Sequence, residues 1–325
     1  MPTQTLNLAD TITVGLGPVS FDEVVVVARH GARVQIHPDA LAGIRRTRAV
    51  IEALADDPQP HYGVSTGFGA LATRHIPVDR RTQLQRSLIR SHAAGSGPEV
   101  EREVVRALML LRLSTLATGR TGVRDVVAQT YADLLNAGIT PVVHEYGSLG
   151  CSGDLAPLAH CALAGMGEGA GRDHDGVLRP AAEGLAAPHH TPGVALAEKE
   201  GLALINGTDG MLGMLILALA DLDTLLTTAD VTAAMSVEGQ LGTDDVFAED
   251  LHLLRPHPGQ LASAANLRKI MASSQIRESH RTNDCTRVQD AYSLRCSPQV
   301  AGGARDTMAH ARTVASIELA SAIDN

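Results

Sequence analysis

This chain has to build its interior almost without aromatic rings, carrying no Trp, three Phe and four Tyr among 325 residues. Core volume must come from Ala, Leu, Val and Met, a mix that lets helices approach one another closely. The length supports a large core in one long domain or two. With 44% hydrophobic and 19% charged residues, wholesale disorder is excluded. A formal net charge of −9 argues against nucleic acid as a partner, because phosphate binding needs a basic face. An acidic chain that handles an anionic substrate needs a well-placed Arg of its own.

Most of the sequence reads as helix. Ser20 and Glu23 have capping-box spacing ahead of Val24–Ala28, where a run of valines also suits a strand. A helix is expected over 38–56, stopped by Asp56-Asp57-Pro58, and a buried one from Pro98 to Thr118, closed by Gly119. Leu212, Leu215, Leu219, Leu222 and Leu226 keep the 3,4 spacing of a bundle seam in a helix from about 209, and an Ala-rich helix fills roughly 301–322. Gly-rich loops at 62–69, 146–153 and 165–171 crowd the first part, and composition shifts near 200. The expected organisation is a loop-rich N-terminal domain, 1–200, and the first part of a helical bundle, 201–325. The sequence stops at Ala322-Ile323-Asp324-Asn325 straight after a helix, which reads as a cut.

The first residues carry neither a basic leader nor a continuous apolar stretch. The longest apolar run, Met211–Ala220, falls short of the roughly 20 residues a bilayer span requires. A soluble, cytoplasmic protein without membrane contact is expected. Cys151, Cys161, Cys285 and Cys296 have neither C-x-x-C nor zinc-type spacing, so reduced thiols and no metal are expected.

Gly63-Val64-Ser65-Thr66-Gly67 has the G-x-S-x-G pattern of hydrolase nucleophile elbows, but no strand signal precedes it. Gly165, Gly167, Gly169 and Gly171 follow a helix rather than a strand, which suits a turn better than a nucleotide loop. His189-His190 sits in a Pro-flanked loop and reads as solvated. The segment from Gly147 to His160, Gly-Ser-Leu-Gly-Cys-Ser-Gly-Asp-Leu-Ala-Pro-Leu-Ala-His, is different in kind. Asp154 can cap a helix starting at Leu155, with Pro157 tolerated in its first turn. Cys151-Ser152-Gly153 would then occupy a glycine-lined bend at the positive end of a helix. A tight loop-to-helix connection explains those residues equally well on physical grounds alone.

That segment resembles the hallmark of the aromatic amino acid ammonia-lyases, a family that includes histidine, phenylalanine and tyrosine lyases and related aminomutases. Four further blocks resemble the same family in the same order: Tyr62 to Gly69, Ser91 to Gly95, Leu204 to Thr208 and Val288 to Cys296. The resemblance implies a mainly α, fumarase/aspartase-like long-helix bundle with a loop-rich N-terminal domain bearing 4-methylidene-imidazol-5-one (MIO). In the family this group forms by itself from Ala-Ser-Gly; here it would form from Cys151, Ser152 and Gly153, with no external cofactor. Cyclisation joins the amide nitrogen of Gly153 to the carbonyl carbon of Cys151, and glycine permits the tight fold. Only the carbonyl of Cys151 enters the ring, so cysteine in place of alanine leaves ring formation possible. Asp154 resembles the aspartate thought to assist closure.

The implied reaction is non-oxidative elimination of ammonia from an α-amino acid, with the enzyme as electrophile. By resemblance Tyr62 takes the β-proton, Arg295 holds the substrate carboxylate, and Gln289 and Tyr292 line the site and support the covalent adduct; Asn206, just before the helix from about 209, is placed to reach the carbonyl of the ring. Ser91-His92 is the substrate discriminator: histidine lyases carry this pair, whereas phenylalanine lyases resemble Phe-Leu and tyrosine lyases His-Leu. L-Histidine to trans-urocanate, in histidine degradation, is therefore the leading expectation. The alternatives are a tyrosine or phenylalanine lyase or aminomutase, or a catalytically silent fragment or subunit. The family chain runs beyond position 325 and forms homotetramers whose sites draw residues from several subunits, so the same is expected of the full-length protein.

Overall fold

The structure, a computed structural model, describes residues 11–149, 153–185, 193–281 and 286–323. It is mainly helical, as the small-residue core requires, with short strands at the edges. Contacts divide the chain into two compact units, one of residues 1–217 with 317–325 and one of 218–316. The division falls inside a long helix; position 200, where composition shifts, lies within the first unit.

The first unit opens with β1 (Ile12–Val14), α1 (Phe21–His30) and β2 (Val34–Ile36), the two strands pairing in parallel. The valine run is helical. Ser20 and Glu23 form the expected reciprocal cap, and Val24, Val27 and Ala28 share one buried face. After α2 (Pro38–Asp56) and α3 (Val78–His92) comes β3 (Ser96–Glu99), then α4 (Arg102–Ala117) and α5 (Asp125–Asn136). Pro98 thus lies in a strand and does not open the helix. Ser96 and Glu99 pair with Tyr146 and His144, and an exposed edge strand tolerates a residue without an N–H.

Next come β4 (Thr140–Pro141), β5 (His144–Tyr146) and α6 (Leu155–Gly165), followed by β6 (Ala170–Arg172), β7 (Leu178–Pro180), α7 (Ala181–Leu185) and α8 (Glu200–Ile205). The turn at 165–171 leads into β6, which joins β4 and β7 in a small antiparallel sheet. Helix α4 is the centre of this unit: Val104 to Leu113 are all buried, including two arginines. Arg106 donates from Nε and Nη2 to Val27 O and from Nη1 to Leu135 O, satisfying carbonyls near the ends of α1 and α5. Burial lowers its pKa to about 10.

Helix α9 (Asp209–Gly239) continues through Asp221 and Asp223, well beyond the apolar run visible in sequence. By length and composition it is long and apolar enough to cross a membrane, which corrects the expectation drawn from 211–220 alone. The second unit is completed by α10 (Glu249–Leu253), α11 (Pro258–Ile270), α12 (Gln275–Glu278), α13 (Tyr292–Arg295) and α14 (Ser297–Ala320). Its small core joins Ala234, Val237, Phe247, Leu267, Met271 and Leu294. Asp230, buried in α9, accepts from Ser263 Oγ (2.5 Å), Asn266 Nδ2 (2.7 Å) and Arg305 Nη2 (2.6 Å).

Candidate active site

Gly150, Cys151 and Ser152 lie outside the described residues, but the positions that follow are tightly defined. Gly153 has φ of +81°, and a Cβ there would collide with Gly207 O and Thr208 Cγ2. Its carbonyl accepts from Leu149 N at 3.2 Å, and the next amide, of Asp154, donates to Gly207 O at 2.8 Å. Asp154 sits at the start of α6 but makes no side-chain cap to that helix. Its buried carboxylate instead accepts from Gly210 N (2.8 Å), Met211 N (3.0 Å) and Ser148 Oγ (2.7 Å). The expected cap is real but belongs to α9. Its positive end, with two unpaired amides and a hydroxyl close by, outcompetes the first turn of α6.

The turn opposite Gly153 joins α8 to α9. Asn206 closes α8, its Nδ2 donating to Leu202 O at 3.2 Å, so its amide side chain is engaged on its own helix. From within α4, Arg112 reaches this turn: it donates to Ala203 O (3.1 Å), to Asn206 O (2.7 Å) and to the Asp209 carboxylate. Burial raises the Asp209 pKa despite the guanidinium beside it. Asn206, Gly207, Thr208 and Asp209 also line a cavity of about 480 Å³ whose walls include Leu111, Thr115 and Arg120. Cys161, within α6, is free and fully buried; burial pushes its thiol up, which makes it inert.

Tyr62 is half-exposed, meets the Phe68 ring edge-on at 6.0 Å and accepts from Gly69 N through its hydroxyl. Its loop is tied to the start of α8, since Gly63 O accepts from Lys199 N (3.1 Å) and Gln85 Nε2 (3.4 Å). The Asn206 turn hangs from the other end of that helix, about 9 Å along. Ser65 is fully buried, its hydroxyl accepting from His61 N and donating to Gln59 O. It is part of the turn and unsuited to nucleophilic attack.

Ser91 and His92 end α3. Both Ser91 Oγ and His92 Nδ1 bond Leu88 O, each at 2.9 Å. A carbonyl only accepts, so Nδ1 is the donor in this contact and Nε2 is left to face other groups. The segment that follows is clipped by two histidines that sequence reading passed over. His160 Nε2 accepts from Gly95 N at 3.1 Å, and His144 Nδ1 bonds Gly97 O at 2.9 Å.

In the second unit, Gln289 and Tyr292 are exposed, and the Arg295 guanidinium lies 4.1 Å from the centre of the Tyr292 ring. Among the described residues Arg295 has no acidic partner, and its Nε is buried without an acceptor. Asp290 anchors this segment, accepting from Thr243 N at 2.6 Å and from Arg287 Nη1 at 3.4 Å. The structure thus joins Gly153, Asp154 and Asn206 around one turn. Tyr62 lies in a loop and Ser91-His92 at the end of α3 in the same unit, and Gln289, Tyr292 and Arg295 in the second unit. Arg112 and Asp290 were missed in sequence. The available signal for Arg112 was a cation set in a run of leucines.

Gly153, left-handed, is thus wedged between the starts of two helices in a mainly α chain. The sequence profile of the aromatic amino acid lyases matches residues 19–325, and the chain belongs to that MIO-dependent family. It is 63% identical over 315 residues to the histidine ammonia-lyase of Streptomyces avermitilis, covering 97% of this chain and 61% of that one. Its counterpart from Koribacter versatilis is 45% identical over 307 residues, covering 94% and 59%. Among solved structures, the tyrosine aminomutase of Streptomyces globisporus superposes with a TM-score of 0.87 at 36% identity, covering 97% and 62%. For the histidine ammonia-lyase of Trypanosoma cruzi the TM-score is 0.84 at 34% identity, covering 97% and 58%. The chain therefore spans about 61% of the length of the first of these relatives.

Proposed function

We propose that this chain carries the chemistry of a histidine ammonia-lyase, eliminating ammonia from L-histidine to give trans-urocanate. The carrying observation is Gly153, held left-handed against Gly207 and followed by a carboxylate locked onto the start of α9. A side chain at 153 is sterically excluded, so the position fits cyclisation of Cys151, Ser152 and Gly153 to MIO. Once formed, the group would supply an electron-poor carbon for capture of the substrate amine, which would make the amine a better leaving group.

The protein's own residues then divide the work. Tyr62 removes the β-proton. Arg295, with a buried Nε lacking an acceptor, holds the carboxylate through parallel charge-assisted bonds. His92 presents Nε2 to an imidazole N–H, and Ser91 leaves room for the ring. Asn206, Gln289 and Tyr292 line the site, and Asp154 assists ring closure. A homotetramer in the cytoplasm is the proposed setting. Helix α9 suits a bundle better than a membrane, since Asp221 and Asp223 interrupt its exposed surface and Asp230 is buried in a pair with Arg305.

The test is urocanate absorbance on incubation with L-histidine, with intact-mass measurement alongside. Urocanate release and a mass short by two waters are expected. Turnover of tyrosine but not histidine would move the assignment to a tyrosine lyase or aminomutase. An unmodified mass with no turnover would leave a silent fragment.

A further inference from the structure

We propose that Arg112 is a positioning residue for formation of the prosthetic group, given the cyclisation proposed above: it fixes the turn against which Gly153 folds. Arg112 is fully buried, with Leu110, Leu111 and Leu113 as its neighbours in α4. A guanidinium in such surroundings is costly unless its donors are used. Nη1 and Nη2 take the carbonyls of Ala203 and Asn206, at the end of α8 where helical acceptors lack partners. Nη2 also takes the carboxylate of Asp209, in the first turn of α9. One side chain thus closes the Asn206–Asp209 turn from both ends.

Gly207, inside that turn, has φ of +153°, and a Cβ there would run into Arg112 Nη2 and Asp209 Oδ2. Its carbonyl faces the other way, accepting from Asp154 N and blocking any side chain at 153. Arg112, Gly207 and Gly153 therefore form an unbroken series of close approaches. None of the Arg112 bonds is local in sequence: each joins α4 to the Ala203–Asp209 stretch, 91 to 97 residues further on.

Cyclisation depends on that support because Gly153 N must reach the carbonyl carbon of Cys151. As the N–C bond forms, the carbonyl oxygen departs as water with protons from the amides of Gly153 and Ser152, leaving a C=N bond. Ser152 then loses its Cα hydrogen and its hydroxyl as a second water, gaining a Cα–Cβ double bond. No electrons enter or leave, so no co-reactant is needed. A loosened Gly207 would widen the range of Gly153 conformers and lower the fraction poised for attack.

The experiment follows the two-water mass deficit with time after synthesis of the full chain, together with far-UV circular dichroism and melting. Three variants are compared: Arg112→Met, Arg112→Lys and the double variant Arg112→Met/Asp209→Asn. The single methionine variant leaves Asp209 buried without its partner, and a lower melting temperature is expected. The double variant removes both charges, so stability should largely return. Cyclisation should not return with it, remaining about tenfold or more slower than wild type, because both α8 carbonyls still lack donors. Arg112→Lys keeps the charge but not the fork, and an intermediate rate is expected.

Wild-type cyclisation in any variant that keeps its helical signal overturns the assignment. Loss of that signal in all three makes Arg112 a folding residue and overturns it equally. A wild-type chain without the mass deficit refutes the prosthetic-group reading itself, a separate outcome from either.

Discussion

Around Gly153, in the first unit, a buried carboxylate, a buried guanidinium and two facing glycines leave no side chain or carbonyl room to move. Around Arg295, in the second, Gln289 and Tyr292 stand exposed beside a four-residue helix, and the segment is held chiefly by Asp290. The contrast follows from what the proposed chemistry asks of each. A backbone that reacts with itself needs a single conformation, at the cost of burying charge. A segment that grips a substrate carboxylate must keep donors available, so its arginine is stacked on a ring instead of paired to an acid.

The comparison breaks most sharply at Ser152. Ser152→Ala should abolish urocanate formation and leave the mass unshortened with circular dichroism unchanged, whereas Cys151→Ala should retain both activity and deficit. Activity in the first variant, or loss of the deficit in the second, would refute backbone chemistry at this tripeptide. Arg295→Lys should leave the deficit intact while raising KM for histidine about 10- to 100-fold, the worth of a charged hydrogen bond lost. An unchanged KM would remove Arg295 from carboxylate binding. Asp290→Asn weakens the anchor to Thr243 N and removes the ion pair with Arg287, and a KM increase of about fivefold is expected, with maturation untouched. Slower maturation in that variant would erase the division between the segments.

The smallest effect concerns pH. Gly95 N–H donates to His160 Nε2, which requires a neutral ring, and burial followed by the nearby His144 lowers the His160 pKa below its ordinary value of about 6.5. The unfolded chain binds the proton more readily, so this stability is complete above about pH 6.5 and is lost as pH falls below it. His160→Gln keeps an acceptor without titrating. Its melting temperature should fall less than that of wild type between neutral and acidic buffer; equal falls would assign the loss to other groups.

What sequence could show was what depends on near neighbours. The Ser20–Glu23 cap, the helix over 38–56 and the start of α9 all rest on contacts within a turn or two, and all were legible. Pro98 was misplaced because its strand is defined by a partner beyond residue 140, not by its own neighbours. Asp154 was recognised as a cap but given to the wrong helix, since the amides that claim it lie at 210 and 211. The end of the apolar run at Asp221 concealed the length of α9, because acids facing outward do not stop a helix. Arg112 was invisible for the same reason as Pro98: all its partners lie at 203–209. The motif blocks gave the chemical residue types, and tertiary structure alone disclosed which residues hold them.

The facing glycines have a consequence for anyone wishing to redesign this electrophile. In the proposed cyclisation position 151 contributes only a carbonyl to the ring, so its side chain is the natural place to vary. Positions 153 and 207 behave as one locked unit: enlarging either meets the backbone or side chains that hold the other. Libraries that randomise the tripeptide as a block would therefore discard most of their members at its third residue, and useful diversity should be placed on the first.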